Sequence, residues 1–259
     1  MCGSARARLQ NVSGVLADDM GLGKTVQTIA FFAMLRRNAL GKRARKRGGG
    51  GGGSGMPPMH LVVVPASVLS NWEGELERFA PHLKVAKYHG PLEARAEAKR
   101  RVRAAATRRA PVDVVLTTYT YFERESSGDD RKFFRSLDLD YLVLDEAHGV
   151  KNMKTSRWQN LKALKTRHRL LLSGTPVQNN LRELLVLLDF LSPHVFRFKG
   201  GGHGGGWGDE GRSDPIGELL SGLGLSEDGK ASGDPAAMAA VRQVTRRRGG
   251  ETAGTGSGA

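Results

Sequence analysis

A single cysteine, Cys2, stands among the 259 residues. Neither an internal disulfide nor a thiolate metal cage can be built from it, which fits a reducing compartment. Long apolar runs are missing too. None approaches the roughly 18 residues of a membrane span, and no apolar signal core opens the chain, so the sequence predicts neither a membrane nor a secreted protein. Repeats of fixed period are absent, which removes solenoids and propellers. Acidic side chains are scarce relative to basic ones, 26 against 40, leaving a formal net charge of +14 and a pI near 10.3. A polyanion is the first partner such a charge suggests, although charge alone describes adhesion and not function.

Glycine, by contrast, is abundant and unevenly placed. Of 35 glycines, seven lie in residues 48–55 and eighteen in residues 200–259. The first cluster follows Lys42, Arg43, Arg45, Lys46 and Arg47, and residues 41–58 read as a flexible basic insertion. That basic run suits a nuclear import signal or a loose DNA clamp, and equally a solvated loop. Residues 200–259 read as a mostly disordered tail or an insertion between lobes, and residues 1–199 as the folded domain.

Within residues 11–199, short Val- and Leu-rich runs alternate with segments of helical period. Strands are predicted at 14–17, 60–64, 85–88, 113–117, 141–144 and 168–172, and helices at 24–37, 67–79, 91–108, 156–165 and 180–191. In the second helix Val68, Trp72, Leu76 and Phe79 form one apolar stripe, which assigns Trp72 to the core in preference to base stacking. Strand, helix, strand in repetition predicts an α/β fold: a parallel sheet with helices on both faces. In such sheets ligands bind beyond the carboxyl ends of the strands.

Two of those ends carry recognisable chemistry. After the first strand come Asp18, Asp19, Met20, Gly21, Leu22, Gly23, Lys24 and Thr25, leading into a helix. Glycines let the backbone wrap an anion, successive N–H groups and the helix N-terminus face it, Lys24 adds a point charge, and Thr25 can ligate Mg²⁺. Asp18 stands where the strict phosphate-loop pattern has glycine, so an ordinary glycine turn is the plainer alternative. After the fifth strand come Asp145, Glu146, Ala147 and His148. A carboxylate at the end of a buried strand calls for a partner such as Mg²⁺, and Glu146 beside it can orient or deprotonate a water; a helix N-cap is the alternative. His60, His89 and His148 lack metal-ligand spacing, so zinc is not expected.

These segments, together with Ser173, Gly174, Thr175, Pro176 and the following Gln178, Asn179 and Asn180, resemble the motifs of the Swi/Snf-type chromatin-remodelling ATPases of helicase superfamily two. Supporting matches are Pro65, Ala66 and Ser67, the Tyr88-His89-Gly90 triplet, and Thr117, Thr118 and Tyr119. Lys151 to Arg157 and Ser192 to Phe196 lean toward the SMARCAD-type subfamily. The resemblance spans about residues 12–198 and accounts for Asp18, which that family carries.

It implies a RecA-like lobe that binds ATP and Mg²⁺. Lys24 and the loop amides would hold the phosphates, Thr25 and Asp145 the metal, and Glu146 would be the catalytic base. Ser173, Gly174 and Thr175 would couple the nucleotide to DNA, while Pro65, Ala66, Ser67, Thr117, Thr118 and Tyr119 would follow the backbone of double-stranded DNA. Nucleosomes and histones are the implied partners and the nucleus the implied location. Such ATPases also use a second RecA-like lobe, which is expected and is not in these 259 residues. A non-catalytic nucleic-acid or chromatin interaction module therefore stands beside the enzyme reading.

Overall fold

A computed structural model describes residues 13–18, 21–47, 58–106, 111–150, 152–174 and 181–191. They fall into two compact units, residues 1–176 and 177–259. The first contains β1 (Gly14–Ala17), α1 (Lys24–Arg47), β2 (His60–Val64), α2 (Leu69–Phe79), β3 (Val85–Tyr88), α3 (Leu92–Ala106), β4 (Val114–Thr118), α4 (Thr120–Glu123), α5 (Gly128–Arg135), β5 (Leu139–Leu144), α6 (Ser156–Lys162) and β6 (Thr166–Ser173). In the second unit one helix is described, α7 (Leu181–Leu191).

All six strands are parallel, in the order β1-β6-β5-β2-β4-β3. Parallel strands carry helices on both faces and so read as continuous apolar runs; every residue of β2 and β4 is buried. On one face Val62, Val64, Val114, Leu116, Tyr141, Val143 and Leu172 meet Ile29, Phe32 and Leu35 of α1 and Leu69, Trp72 and Leu76 of α2. On the other, Leu61, Val63, Val115, Leu142, Leu144 and Leu171 are wholly shielded. The RecA-like α/β architecture expected from the sequence is therefore present.

The element bounds differ from expectation where tertiary contacts decide them. Asp113 precedes β4 instead of opening it, because its carboxylate accepts hydrogen bonds from Arg36 (2.6 Å) and from the Lys84 backbone N–H (2.7 Å), making a corner. The basic run assigned to a flexible insertion starts inside α1, which continues through Gly41 to Arg47. Lys, Arg, Ala and Leu all favour helix, and together they carry the single glycine at a cost of about 1 kcal/mol. Phe79, placed on the buried stripe, is 48% exposed. Ala80 and Leu83 fill the space below the last turn of α2, and the Arg78 guanidinium covers the Phe79 ring.

Helices α4 and α5 were not anticipated. The Ser126-Ser127-Gly128-Asp129-Asp130 stretch reads as loop punctuation. Yet α5 has acids in its first turn and Lys132 and Arg135 in its last, matching the helix dipole. Its Phe133 stacks on Tyr88 at a centroid distance of 5.4 Å and its Phe134 meets that ring edge-on at 4.9 Å, so packing secures what local propensity leaves open.

Candidate active site

Because every strand runs the same way, their carboxyl ends line up along one edge. Across the sheet the residues that follow the strands are Asp18, Gly174, Asp145, Pro65, Tyr119 and His89. At about 4.8 Å per strand, this row is about 24 Å long. The sequence places its unusual residues along it, where a doubly wound sheet binds ligands.

At the β1 end the chain turns into α1 through Gly21 (φ 87°) and Gly23 (φ 76°). Both angles lie in the left-handed region that glycine adopts freely, and no atom lies within 4 Å of where a Cβ would be at either position. The turn is thus selected by backbone conformation and leaves open space beside it for a ligand. Lys24 begins the helix, and its Nζ reaches back to the Asp18 carbonyl at 2.8 Å. Thr25, half-buried, stands one residue further along the same helix N-terminus. Asp19 and Met20, predicted to complete the cradle, lie outside the described residues. Of the coupling triplet, Ser173 is buried and its carbonyl accepts the Asp18 N–H at 3.3 Å, tying the loop to β6. Gly174 follows it, and Thr175 lies outside the described residues.

Asp145 leaves β5 with its N–H bonded to the Val63 carbonyl at 3.0 Å. One carboxylate oxygen accepts the Glu146 backbone N–H at 3.0 Å and the other accepts Nε1–H of Trp72 at 2.7 Å. Burial, with a smaller contribution from the Glu146 charge, raises the Asp145 pKa, while the Trp72 hydrogen bond, the Glu146 N–H and Lys24 oppose the rise. A carboxylate drawn partly out of water is costly alone and gains from a nearby cation. Among the described residues Glu146 is the one non-glycine with positive φ, at 51°. A side chain held in the left-handed region costs of order 1 kcal/mol and is a mark of functional sites.

Two residues contribute here that sequence reasoning placed elsewhere. Trp72 is core, as expected, at 1% exposure, and its one polar atom holds the candidate metal ligand. Tyr119 was assigned to DNA. Its side chain instead lies buried across the end of β2, donating its hydroxyl hydrogen to the Asp145 carbonyl at 2.6 Å, with the Arg157 guanidinium 4.6 Å from its ring centroid. Burial and the neighbouring Asp145 charge push the Tyr119 pKa up, so the phenol stays a donor. Thr117 and Thr118 are likewise fully buried, and the Thr117 hydroxyl donates to the Tyr88 carbonyl at 2.9 Å. All three side chains expected to meet DNA at the β4 end are therefore buried in this structure. Tyr119 and Asp145 follow β4 and β5, the two strands flanking β2, a strand order that the sequence reading did not supply. At the β2 end, by contrast, Ala66 and Ser67 are exposed and Pro65 is half-buried.

A glycine-turned helix start with its lysine and a half-buried Asp-Glu pair thus stand at the ends of three adjacent strands of a RecA-like sheet. The chain belongs to the SNF2-related family, whose domain model, described as "SNF2-related domain", matches residues 4–199. It is 46% identical over 187 residues to the Drosophila melanogaster homolog of the SWI/SNF-related matrix-associated actin-dependent regulator of chromatin subfamily A containing DEAD/H box 1, covering 72% of this chain and 20% of that protein. Identity to the Homo sapiens protein of that name is 43% over 185 residues, 71% of this chain and 16% of the relative. With the ATP-dependent helicase fft2 of Schizosaccharomyces pombe it is 41% over 187 residues, 72% and 13%. The chain thus spans a fifth or less of these relatives. Among solved structures it is similar to the Sulfolobus solfataricus SWI2/SNF2 ATPase core in complex with dsDNA, with a TM-score of 0.55 and 32% identity over 74% of this chain and 34% of that one.

Proposed function

We propose that this chain is the ATP-binding lobe of a DNA-dependent ATPase that moves along double-stranded DNA and remodels nucleosomes in the nucleus, and that it closes on a second RecA-like lobe. Residues 1–199 form the lobe in this reading, and the glycine-rich remainder is a tail or an insertion between lobes. The relatives favour a remodeller of SMARCAD type. The observation that carries the proposal is the pairing of the Gly21, Gly23 and Lys24 turn with Asp145 and Glu146 at one sheet edge. These intact residues favour an enzyme over a purely binding module.

The residues fit ATP and Mg²⁺. Open space lies beside both loop glycines, and Asp145 is a half-buried carboxylate whose pKa is raised by desolvation, an environment that a cation would relieve. Bound ATP and Mg²⁺ supply the phosphoryl group and the charge that neutralises it. Asp18, Asp19, Met20, Gly21, Leu22 and Gly23 would present backbone groups to the phosphates, and Lys24 would turn its ammonium from the Asp18 carbonyl onto them. Thr25 and Asp145 would hold the metal, with Trp72 fixing the rotamer of Asp145. Glu146, set apart by its backbone, would take the proton of the attacking water. Ser173, Gly174 and Thr175, the first of them bonded to the loop, would transmit the nucleotide state along the edge. Ala66 and Ser67 would meet DNA phosphates without reading bases.

The test is ATP turnover with and without duplex DNA, on the chain alone and joined to a second lobe. Duplex stimulation is expected in the joined form, and Glu146→Gln should remove about 10²- to 10⁴-fold of it. Turnover that ignored duplex or survived this substitution would overturn the proposal.

A further inference from the structure

At the far end of the same edge, beyond β3, a cleft of about 500 Å³ is lined by Ala66, His89, Gly90, Arg95, Thr120, Tyr121, Arg124, Ser126, Ser127 and Asp130. Two of its polar atoms, Nδ1 of His89 and Nε of Arg95, are buried and have no hydrogen-bond partner. Buried polar atoms are nearly always paired, so two such atoms in one cleft are an informative exception. Both side chains are held in place by what surrounds them. The His89 ring lies edge-on to Tyr121 at 6.2 Å, and the Arg95 guanidinium stands 5.5 Å from the centroid of that ring. Arg95 is anchored further by an ion pair with Asp130.

The charge in the cleft is not balanced. Asp130, buried, accepts from Arg95, from Lys99 at 3.2 Å and from the hydroxyl of Tyr88. Two cations thus share one carboxylate, and Arg124 at the rim brings a third. A single structural ion pair would need one cation. The surplus, with Ser126, Ser127 and Thr120 as hydroxyl donors, suits a group bearing several acceptor oxygens and negative charge.

We propose that this cleft seats one phosphate of a duplex DNA backbone, held by His89, Arg95 and Arg124. The inference rests on the DNA-binding reading above, because Ala66 belongs both to the cleft wall and to the β2 end assigned to DNA. A strand laid along Ala66 and Ser67 has its next phosphates within reach of the cleft, since successive phosphates of one strand advance about 3.4 Å along the duplex.

The test measures binding of a labelled duplex by the 259-residue chain across a salt series. His89→Gln, Arg124→Gln and Arg124→Lys are chosen because none of them touches the Asp130 anchor, and unchanged melting temperatures establish that they fold. His89→Gln and Arg124→Gln should each lower affinity about tenfold; Arg124→Gln should also reduce the slope of log affinity against log salt by about 0.9, and Arg124→Lys, which keeps the charge, restores that slope. Ser67→Glu, at the β2 end, should weaken binding independently. If the cleft variants bind like the parent while Ser67→Glu is impaired, the cleft inference is overturned and the wider reading stands. If the parent chain shows no salt-sensitive duplex binding, both fall.

Discussion

The two halves of one sheet edge are built from different materials. From β1 to β5 the strand ends carry glycines, a lysine and two carboxylates, with backbone angles that side chains rarely adopt. From β2 to β3 they carry buried threonines, a tyrosine, a histidine and, beside them, an arginine and a lysine on one aspartate. Strand direction puts both halves on the same side, and the proposed function assigns the first to a nucleotide and the second to a polymer backbone. They are joined at β2, where Trp72 reaches the carboxylate of Asp145 and Tyr119 reaches its carbonyl. A movement of the polymer half would thereby be felt at the candidate metal ligand through two hydrogen bonds.

The largest expected effect lies away from both halves and shows that stability and chemistry are separable. His60 opens β2 at the opposite edge, stacked on Phe32 at 4.5 Å, and burial lowers its pKa from 6.5 to about 3. Because the unfolded chain protonates His60 first, stability falls as pH drops from about 6.5 toward 3, by up to about 1.4 kcal/mol per unit. Denaturant titrations at several pH values should show this slope reduced in His60→Phe, with nucleotide binding at neutral pH unchanged. Next in size is Trp72→Phe, which keeps the apolar bulk and leaves the Asp145 oxygen without its donor. It should cost about 1 to 3 kcal/mol of stability and raise the Mg²⁺ concentration for half-maximal ATP binding about tenfold, read by calorimetry; an unchanged Mg²⁺ requirement would make Trp72 packing alone.

Tyr119→Phe breaks the other link. About 1 kcal/mol of stability should go, while ATP affinity without DNA holds and the effect of duplex on turnover shrinks, as steady-state assays of the joined form can show. Equal duplex stimulation in the variant would mean that the halves communicate by another route. The smallest effect is a gain. Glu146→Gly relieves the left-handed backbone and should stabilise the fold by about 1 kcal/mol while removing turnover, seen as a raised melting temperature in an inactive protein.

Much of this edge was legible in the sequence because parallel strands are apolar throughout and their ends are abrupt. β1, β2 and β3 have the predicted bounds, and β5 and β6 are longer than their most apolar stretches. Asp145 and Glu146 stand at a strand end, as expected from the run of Leu142, Val143 and Leu144. What sequence could not show is which strands are neighbours. Tyr119 and Asp145 are separated by 26 positions and meet only because β4 and β5 flank β2. For the same reason Thr117 and Tyr119, which from sequence look like DNA contacts, each donate to a backbone carbonyl in the fold, and Thr118 is buried beside them. The cleft was hidden for a related cause, since His89, Arg95, Arg124 and Asp130 come from separate segments and converge through α4 and α5, helices that packing stabilises more than propensity.

The most direct measurement is equilibrium binding of a fluorescent ATP analogue to the 259-residue chain, with and without Mg²⁺, for the parent and Lys24→Ala. The account predicts Mg²⁺-dependent binding that Lys24→Ala weakens by at least about tenfold. Binding indifferent to both the metal and Lys24 would contradict it.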